Sequence, residues 1–196
     1  MLHSGDGDTR VDETTSTRRF REKRDAILAA AAEAINEQSA KGMTFADVAR
    51  RVGLNTTSVT YYFKRKEDLA AAAFEYTLDY LLRMLDEAME ADTPAERVEA
   101  YLRLNMARLA RIERDEEKPF AVLSDLRATE DPVRTKLMAG WREVFRRTRL
   151  LWGPAAGRAQ TDLAGARAHV LLENTFWMPV WLPRYDVDQW PRACDR

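Results

Sequence analysis

From Arg18 to Trp181 the apolar residues recur three and four positions apart, and no stretch shows the strict alternation of a strand, so the chain is restricted to an all-α fold. Helix punctuation divides this pattern. Phe20, Ile27, Ala31 and Ile35 fall on one face of a first helix that begins near Arg18 and stops at Gly42. Thr44 followed by Asp47 predicts a capped second helix over Phe45 to Val52. The break Gly53-Leu54-Asn55 precedes a short segment, Thr56 to Phe63. A long helix follows from Glu67 to about Ala91, becoming apolar nearly all round, as a central helix should.

Thr93-Pro94-Ala95-Glu96 starts the next helix with a hydroxyl cap, Pro at the first helical position and Glu at the third. A short helix is expected from Lys118-Pro119 to about Thr129, another from Asp131-Pro132 to near Trp152, and a last long one from about Gln160 to Trp177 or beyond. Asp186 to Arg196 leaves room only for a short final helix.

Charge separates the chain into modules. Residues 1–17 carry one Arg against four acids, in Ser, Thr, Gly and Asp with little to bury, and read as a disordered tail. Residues 18–66 carry eleven Lys or Arg against five Asp or Glu, a net +6. Of the whole-chain charge of -1 this leaves -4 for residues 67–196, so a small basic module precedes a larger acidic one.

The basic module contains the most specific constellation, residues 46–63. Ala49 is small where two helices cross, Gly53 suits a turn of positive φ, and Val48, Val52, Leu54, Val59 and Tyr62 supply apolar positions that lock a helix-turn-helix. Its second helix offers Thr56, Thr57, Ser58, Thr60 and Tyr61, short donors and an aromatic suited to base edges and phosphates. An ordinary helical hairpin shares the spacing, but not the charge.

These residues resemble the tetracycline-repressor (TetR) family of bacterial regulators. The likeness runs over residues 18 to about 75 and is sharpest at Tyr62-Phe63-Lys64-Arg65-Lys66-Glu67-Asp68-Leu69, similar to the family's Tyr-Phe-x-x-Lys-Glu-x-Leu. The resemblance implies an amino-terminal three-helix DNA-binding domain over 18–66 and a helical-bundle effector and dimerisation domain over 67–196. It implies that Thr44 and Lys66 bind phosphate, that Asn55, Thr56, Thr57, Ser58, Thr60 and Tyr61 belong to the DNA-facing segment, and that Tyr62 reaches the backbone. Lys64 and Arg65 replace the family's Pro-Ser, adding charge beside the duplex. Thr57 and Thr60 depart from the glycine and the aromatic often found there.

The acidic module is expected to hold a small apolar or aromatic effector between its long helices. Candidate lining residues are Tyr76, Tyr80, Tyr101, Asn105, Met106, Leu109, Phe120, Trp141, Phe145, Phe176 and Trp177, with Asn105, His169 or Glu173 orienting a polar end. The helix around Ala166, Val170, Asn174 and Trp177 is expected to pair with its symmetry mate in a homodimer. No metal, phosphate-loop or nucleophile motif is present, so no cofactor and no catalysis are expected. The longest uncharged run near the C-terminus, Asn174 to Pro183, is half the roughly 20 residues a membrane helix needs, and with the lone Cys194 it places the chain in a reducing cytoplasm. The alternative is a helical small-molecule-binding protein, an enzyme without DNA function, or a structural adaptor.

Overall fold

The structure, a computed structural model, describes residues 8–182. Seven α-helices lie within them, with no strand: α1 Asp8–Gly42, α2 Phe45–Arg51, α3 Thr56–Tyr62, α4 Lys66–Ala88, α5 Pro94–Glu113, α6 Val133–Leu150 and α7 Arg158–Trp181. A 3₁₀ turn, Leu123–Ala128, lies between α5 and α6. The expected last helix within 186–196 lies outside the described residues.

Three boundaries differ from expectation. The chain is already helical at Asp8, ten residues before Arg18, which corrects the reading of 1–17 as a wholly disordered tail. Nucleation is the costly step of helix formation, and each residue added to an existing helix gains a hydrogen bond, so α1 extends into a polar sequence. α4 is central but not apolar all round: Tyr76, Asp79, Arg83 and Asp86 form an exposed strip. The expected helix from Lys118 is extended as far as Val122. Pro119 disfavours helical backbone at Lys118, and side chains from other helices take up backbone groups of this connector: Arg108 donates to the Lys118 carbonyl (3.0 Å), while Asn36 bonds Phe120 and Val122.

The helix starts follow the cap chemistry. The Thr93 hydroxyl accepts from the Glu96 amide while the Glu96 carboxylate accepts from the Thr93 amide, a complete capping box. Asp131 caps α6, accepting from the Thr135 amide and hydroxyl at 3.2 and 2.7 Å.

α4 is the axle of the molecule, packing on α1, α5 and α6. Leu69, Phe74 and Leu85 are wholly buried and meet Ile27 from α1, Tyr101 from α5, and Leu137 and Val144 from α6 in one continuous core. α6 crosses close to α4 at Gly140, where a Cβ would lie 2.9 Å from Leu78 Cδ1. Arg147 also reaches across to Asp86. Glu143, hydrogen-bonded by Arg146 and Arg147, is held down to about 2. α7 rests on α6 and more sparsely on α5, against which Met106, Ala110, Met178 and Leu182 make a small separate cluster.

The last turn of α1 is broken at Ser39, whose φ of 67° and ψ of 163° fall in a region essentially reserved for glycine. The break is held by a distant group, since the Ala40 amide donates to Asp125 of the 3₁₀ turn at 2.7 Å. Replacing Ser39 with Gly removes the strain at the cost of one weak bond, that of the Ser39 hydroxyl to the Gly42 amide (3.4 Å). Ser39→Gly is expected to stabilise the protein by about 1 kcal/mol, read as a rise in urea midpoint without a change in slope.

Candidate nucleic-acid interface and regulatory core

α2 and α3 are held by short local bonds. The Thr44 hydroxyl accepts from the Asp47 amide (3.1 Å) and donates to the Asp47 carboxylate (2.6 Å), which lowers the Asp47 pKa. Asn55 Oδ1 accepts from the Ser58 amide at 2.7 Å and starts α3. Between the helices Gly53 takes a φ of +65°, and the Leu54 amide donates to the Ala49 carbonyl at 2.9 Å. Val48 and Val59 are fully buried, with Val52, Leu54 and Tyr62 packed beside them.

Arg51 ties this pair to α1. Its guanidinium lies 3.4 Å from Glu33 and is hydrogen-bonded to Glu37. The bond to Glu37 raises the Arg51 pKa and lowers that of Glu37. Nearer the middle of α1, Phe20 stacks on Tyr62 (4.8 Å between ring centroids) and stands near Tyr61 (6.4 Å), and Arg24 lies over the Phe63 ring.

Asn55, Thr57, Ser58, Tyr61 and Tyr62 line a concavity of about 340 Å³ together with Lys23 of α1. Tyr61 is 68% exposed. Thr56 is exposed outside that concavity, and Thr60 turns its hydroxyl onto the Thr57 carbonyl (2.9 Å). Lys64 is exposed. Lys66, expected to point at phosphate, donates to the Lys41 carbonyl at 2.7 Å and so closes the C-terminal end of α1. Sequence reasoning missed Lys23. Its signal was the basic run Arg18, Arg19, Arg21, Lys23 and Arg24, of which all but Arg24 are exposed.

The expected effector residues fall into separate groups. Tyr76, Tyr80 and Phe120 form an aromatic edge, with Phe120 4.7 Å from Tyr80 and 6.3 Å from Tyr76. Arg108, buried on α5, lies over Phe120, its Cζ 3.0 Å from the ring centroid, and pairs with Glu117 at 3.1 Å. Burial lowers its pKa, opposed by Glu117. Arg111 joins Glu117 (2.9 Å) and the Tyr80 hydroxyl (3.3 Å).

Trp141 packs on Phe176, and Phe145 on the exposed His169. Met106 and Leu109 belong to the small cluster with Met178. Tyr101 is fully buried, and Asn105 donates to its carbonyl at 2.8 Å. Glu173 and Trp177 face outward on α7. The expectation was that some of these residues line an apolar pocket between the long helices; they are divided among these separate groups on α4, α5, the connector, α6 and α7, and of them Met106 lines the groove described next. What the structure does hold is an open groove of about 1,050 Å³ between α5 and α7, lined by Leu102, Met106, Trp152, Val170, Met178 and Trp181 among others.

The family model of bacterial regulatory proteins, tetR family, matches residues 27–73. The match to the tetR family of bacterial regulatory proteins thus falls on α1 to α4. The regulator RutR of Escherichia coli strain K12 is 29% identical over 131 residues, 61% of either chain. The curated relatives that match are spanned over 40% to 61% of their length. Among solved structures, a TetR-family regulator from Bordetella parapertussis 12822 covers 88% of this chain and 90% of its own, at 22% identity and a TM-score of 0.69. AibR, in complex with isovaleryl coenzyme A and operator DNA, covers 87% and 94% at 19% identity and a TM-score of 0.64. FadR from Bacillus subtilis, in complex with stearoyl-CoA, covers 86% and 94% at 17% identity and a TM-score of 0.58. The TetR fold thus extends through the carboxy-terminal helices. Among the described residues no helix is long and apolar enough to cross a membrane.

Proposed function

We propose that the chain is a ligand-responsive transcriptional regulator, acting as a repressor, that binds a palindromic operator as a homodimer and is not an enzyme. The observation that carries this reading is the α3 surface: Asn55, Thr57, Ser58 and Tyr61 stand exposed or half-exposed beside Lys23 in the basic stretch 18–24 of α1. Short hydroxyls and an amide read base edges, and cations on the flank neutralise phosphates. Thr56, Lys64 and Lys66 extend that surface. The operator DNA held by AibR supports the same assignment.

Two-fold symmetry follows from the size of the reader, because one seven-residue helix spans too few base pairs for specificity. α7 supports the pairing. Leu163, Val170 and Trp177, seven residues apart, are 50%, 63% and 59% exposed, an apolar stripe that a second copy of the helix would cover. The effector is an apolar molecule held beside α5 and α7, a reading supported by the groove and by the acyl-CoA ligands of AibR and FadR. Its binding is felt at α3 through α4 and through the connector bonded to α1.

Two outcomes are expected. In fluorescence anisotropy with an operator duplex, affinity falls steeply with salt, and Lys23→Ala lowers the log-log salt slope by about 1 while leaving sequence preference intact; an unchanged slope removes Lys23 from the interface. Trp177→Glu yields a monomer in light scattering at micromolar concentration and weakens operator binding at least tenfold, whereas a wild-type monomer removes the dimer.

A further inference from the structure

The break in α1 joins two parts of the molecule that its sequence keeps far apart. Ser39, at a φ of 67° and a ψ of 163°, is the non-helical residue of α1, and helical backbone resumes after it as far as Gly42. In an unbroken helix the Ala40 amide would donate to the Asn36 carbonyl. Here it donates to the Asp125 carboxylate, 85 positions away, at 2.7 Å. A bond to a carboxylate is stronger than one between neutral groups, so it can offset both the strained residue and the helical bond given up.

The input side of the break is the connector. Asp125 lies in the 3₁₀ turn Leu123–Ala128, which packs on α6 as well as on α1, and the connector before it is bonded to α5 by Arg108. The output side is the helix-turn-helix. The Lys41 carbonyl accepts from Lys66 at the start of α4 (2.7 Å), Met43 is fully buried, and Thr44 caps α2. Only Met43 and Thr44 separate the broken turn from α2. A change of backbone at Ser39 therefore turns α2 and α3 relative to residues 18–24 of α1, where Phe20 and Lys23 stand beside α3. Arg51 spans the break, since it reaches from α2 to Glu33 and Glu37 ahead of Ser39.

We propose that Ser39 is a two-position joint latched by Asp125. With the latch made, α1 is broken and Lys23 stands with Asn55, Ser58 and Tyr61 in the arrangement that fits the operator. When the 3₁₀ turn withdraws Asp125, the Ala40 amide returns to the Asn36 carbonyl, Ser39 becomes helical, and α2 and α3 turn out of that arrangement. The functional half of this proposal rests on the reading of α3 as the operator-facing helix; the structural half does not.

The test uses the full chain with Ser39→Gly, Ser39→Leu, Asp125→Ala, Asp125→Asn and the double variant Ser39→Gly/Asp125→Ala. Thermal unfolding and anisotropy are recorded with a duplex selected from random sequence on the wild type. Glycine relieves a strained residue but weakens a helical one. Ser39→Gly is therefore expected to raise Tm by about 2–4 °C in the wild type and to lower it in Asp125→Ala. Asp125→Ala removes the latch, and Ser39→Leu, a helix former that resists positive φ, straightens α1 without touching the connector; each is expected to weaken duplex binding at least tenfold. Asp125→Asn keeps an oxygen for the Ala40 amide, and with Ser39→Gly it is expected to stay within about threefold of the wild type. An equal rise in Tm from Ser39→Gly in both backgrounds overturns the joint, because the break then persists without its latch. Wild-type duplex affinity in Ser39→Leu overturns it as well, and Ser39 is exposed, so that variant does not disturb the core. If no duplex is selected by the wild type, the regulator reading fails, while the sign of the Tm change still decides the joint.

Discussion

The Asn36 side chain ties α1 to the extended connector between α5 and α6. Its amide nitrogen donates to the Phe120 carbonyl at 2.6 Å and its oxygen accepts from the Val122 amide at 2.7 Å, so one α1 residue satisfies both polarities of a connector 84 and 86 positions away. Each such bond contributes only about 1 kcal/mol, but they do not act alone. Asp125 accepts from the Ala40 amide, and Lys118 lies 3.6 Å from Glu33. Glu33 and Glu37 in turn carry Arg51 of α2. The connector is pinned from its other side by Arg108, through Glu117, the Lys118 carbonyl and the Phe120 ring. A continuous set of polar contacts therefore runs from α5 through the connector and α1 to the helix-turn-helix, beside the apolar route through α4.

That arrangement gives the position of α3 a physical cause. This helix is seven residues long and has one wholly buried side chain, Val59. It has too little core of its own to fix its orientation. The orientation comes from Arg51 below it, from Phe20 against Tyr61 and Tyr62, and from Lys66, which bonds the end of α1. Small shifts of the connector would reach α3 through α1, because each of these links is to α1. A ligand moves such an equilibrium only as far as it prefers one arrangement over the other.

Much of this was legible in the sequence. Thr44, Thr93-Pro94-Ala95-Glu96 and Asp131 marked helix starts, and Gly53 marked the turn, because capping is a local matter of side chain and neighbouring amide. Asn55, Thr57, Ser58, Tyr61 and Tyr62 were expected together and lie together. What was not legible depends on contacts far apart in the chain. The extended connector owes its form to Asn36 and Arg108, and periodicity carries no trace of either bond. The bond of Lys66 to the Lys41 carbonyl, 2.7 Å long, joins residues 25 positions apart and left no mark on the local pattern. The effector residues were chosen as aromatics at helical spacing, which does not tell the inward Tyr101 from the outward Trp177.

The central claim is that α3 reads DNA as part of one mechanically continuous molecule. Amide hydrogen exchange of the free and operator-bound protein, using a duplex selected from random sequence, tests both halves at once. The account predicts slowed exchange in residues 18–24 and 56–62 and, across the Asn36 bonds, in the connector at 118–128. Slowing confined to α3 would contradict the continuity, and no slowing in α3 would contradict the interface.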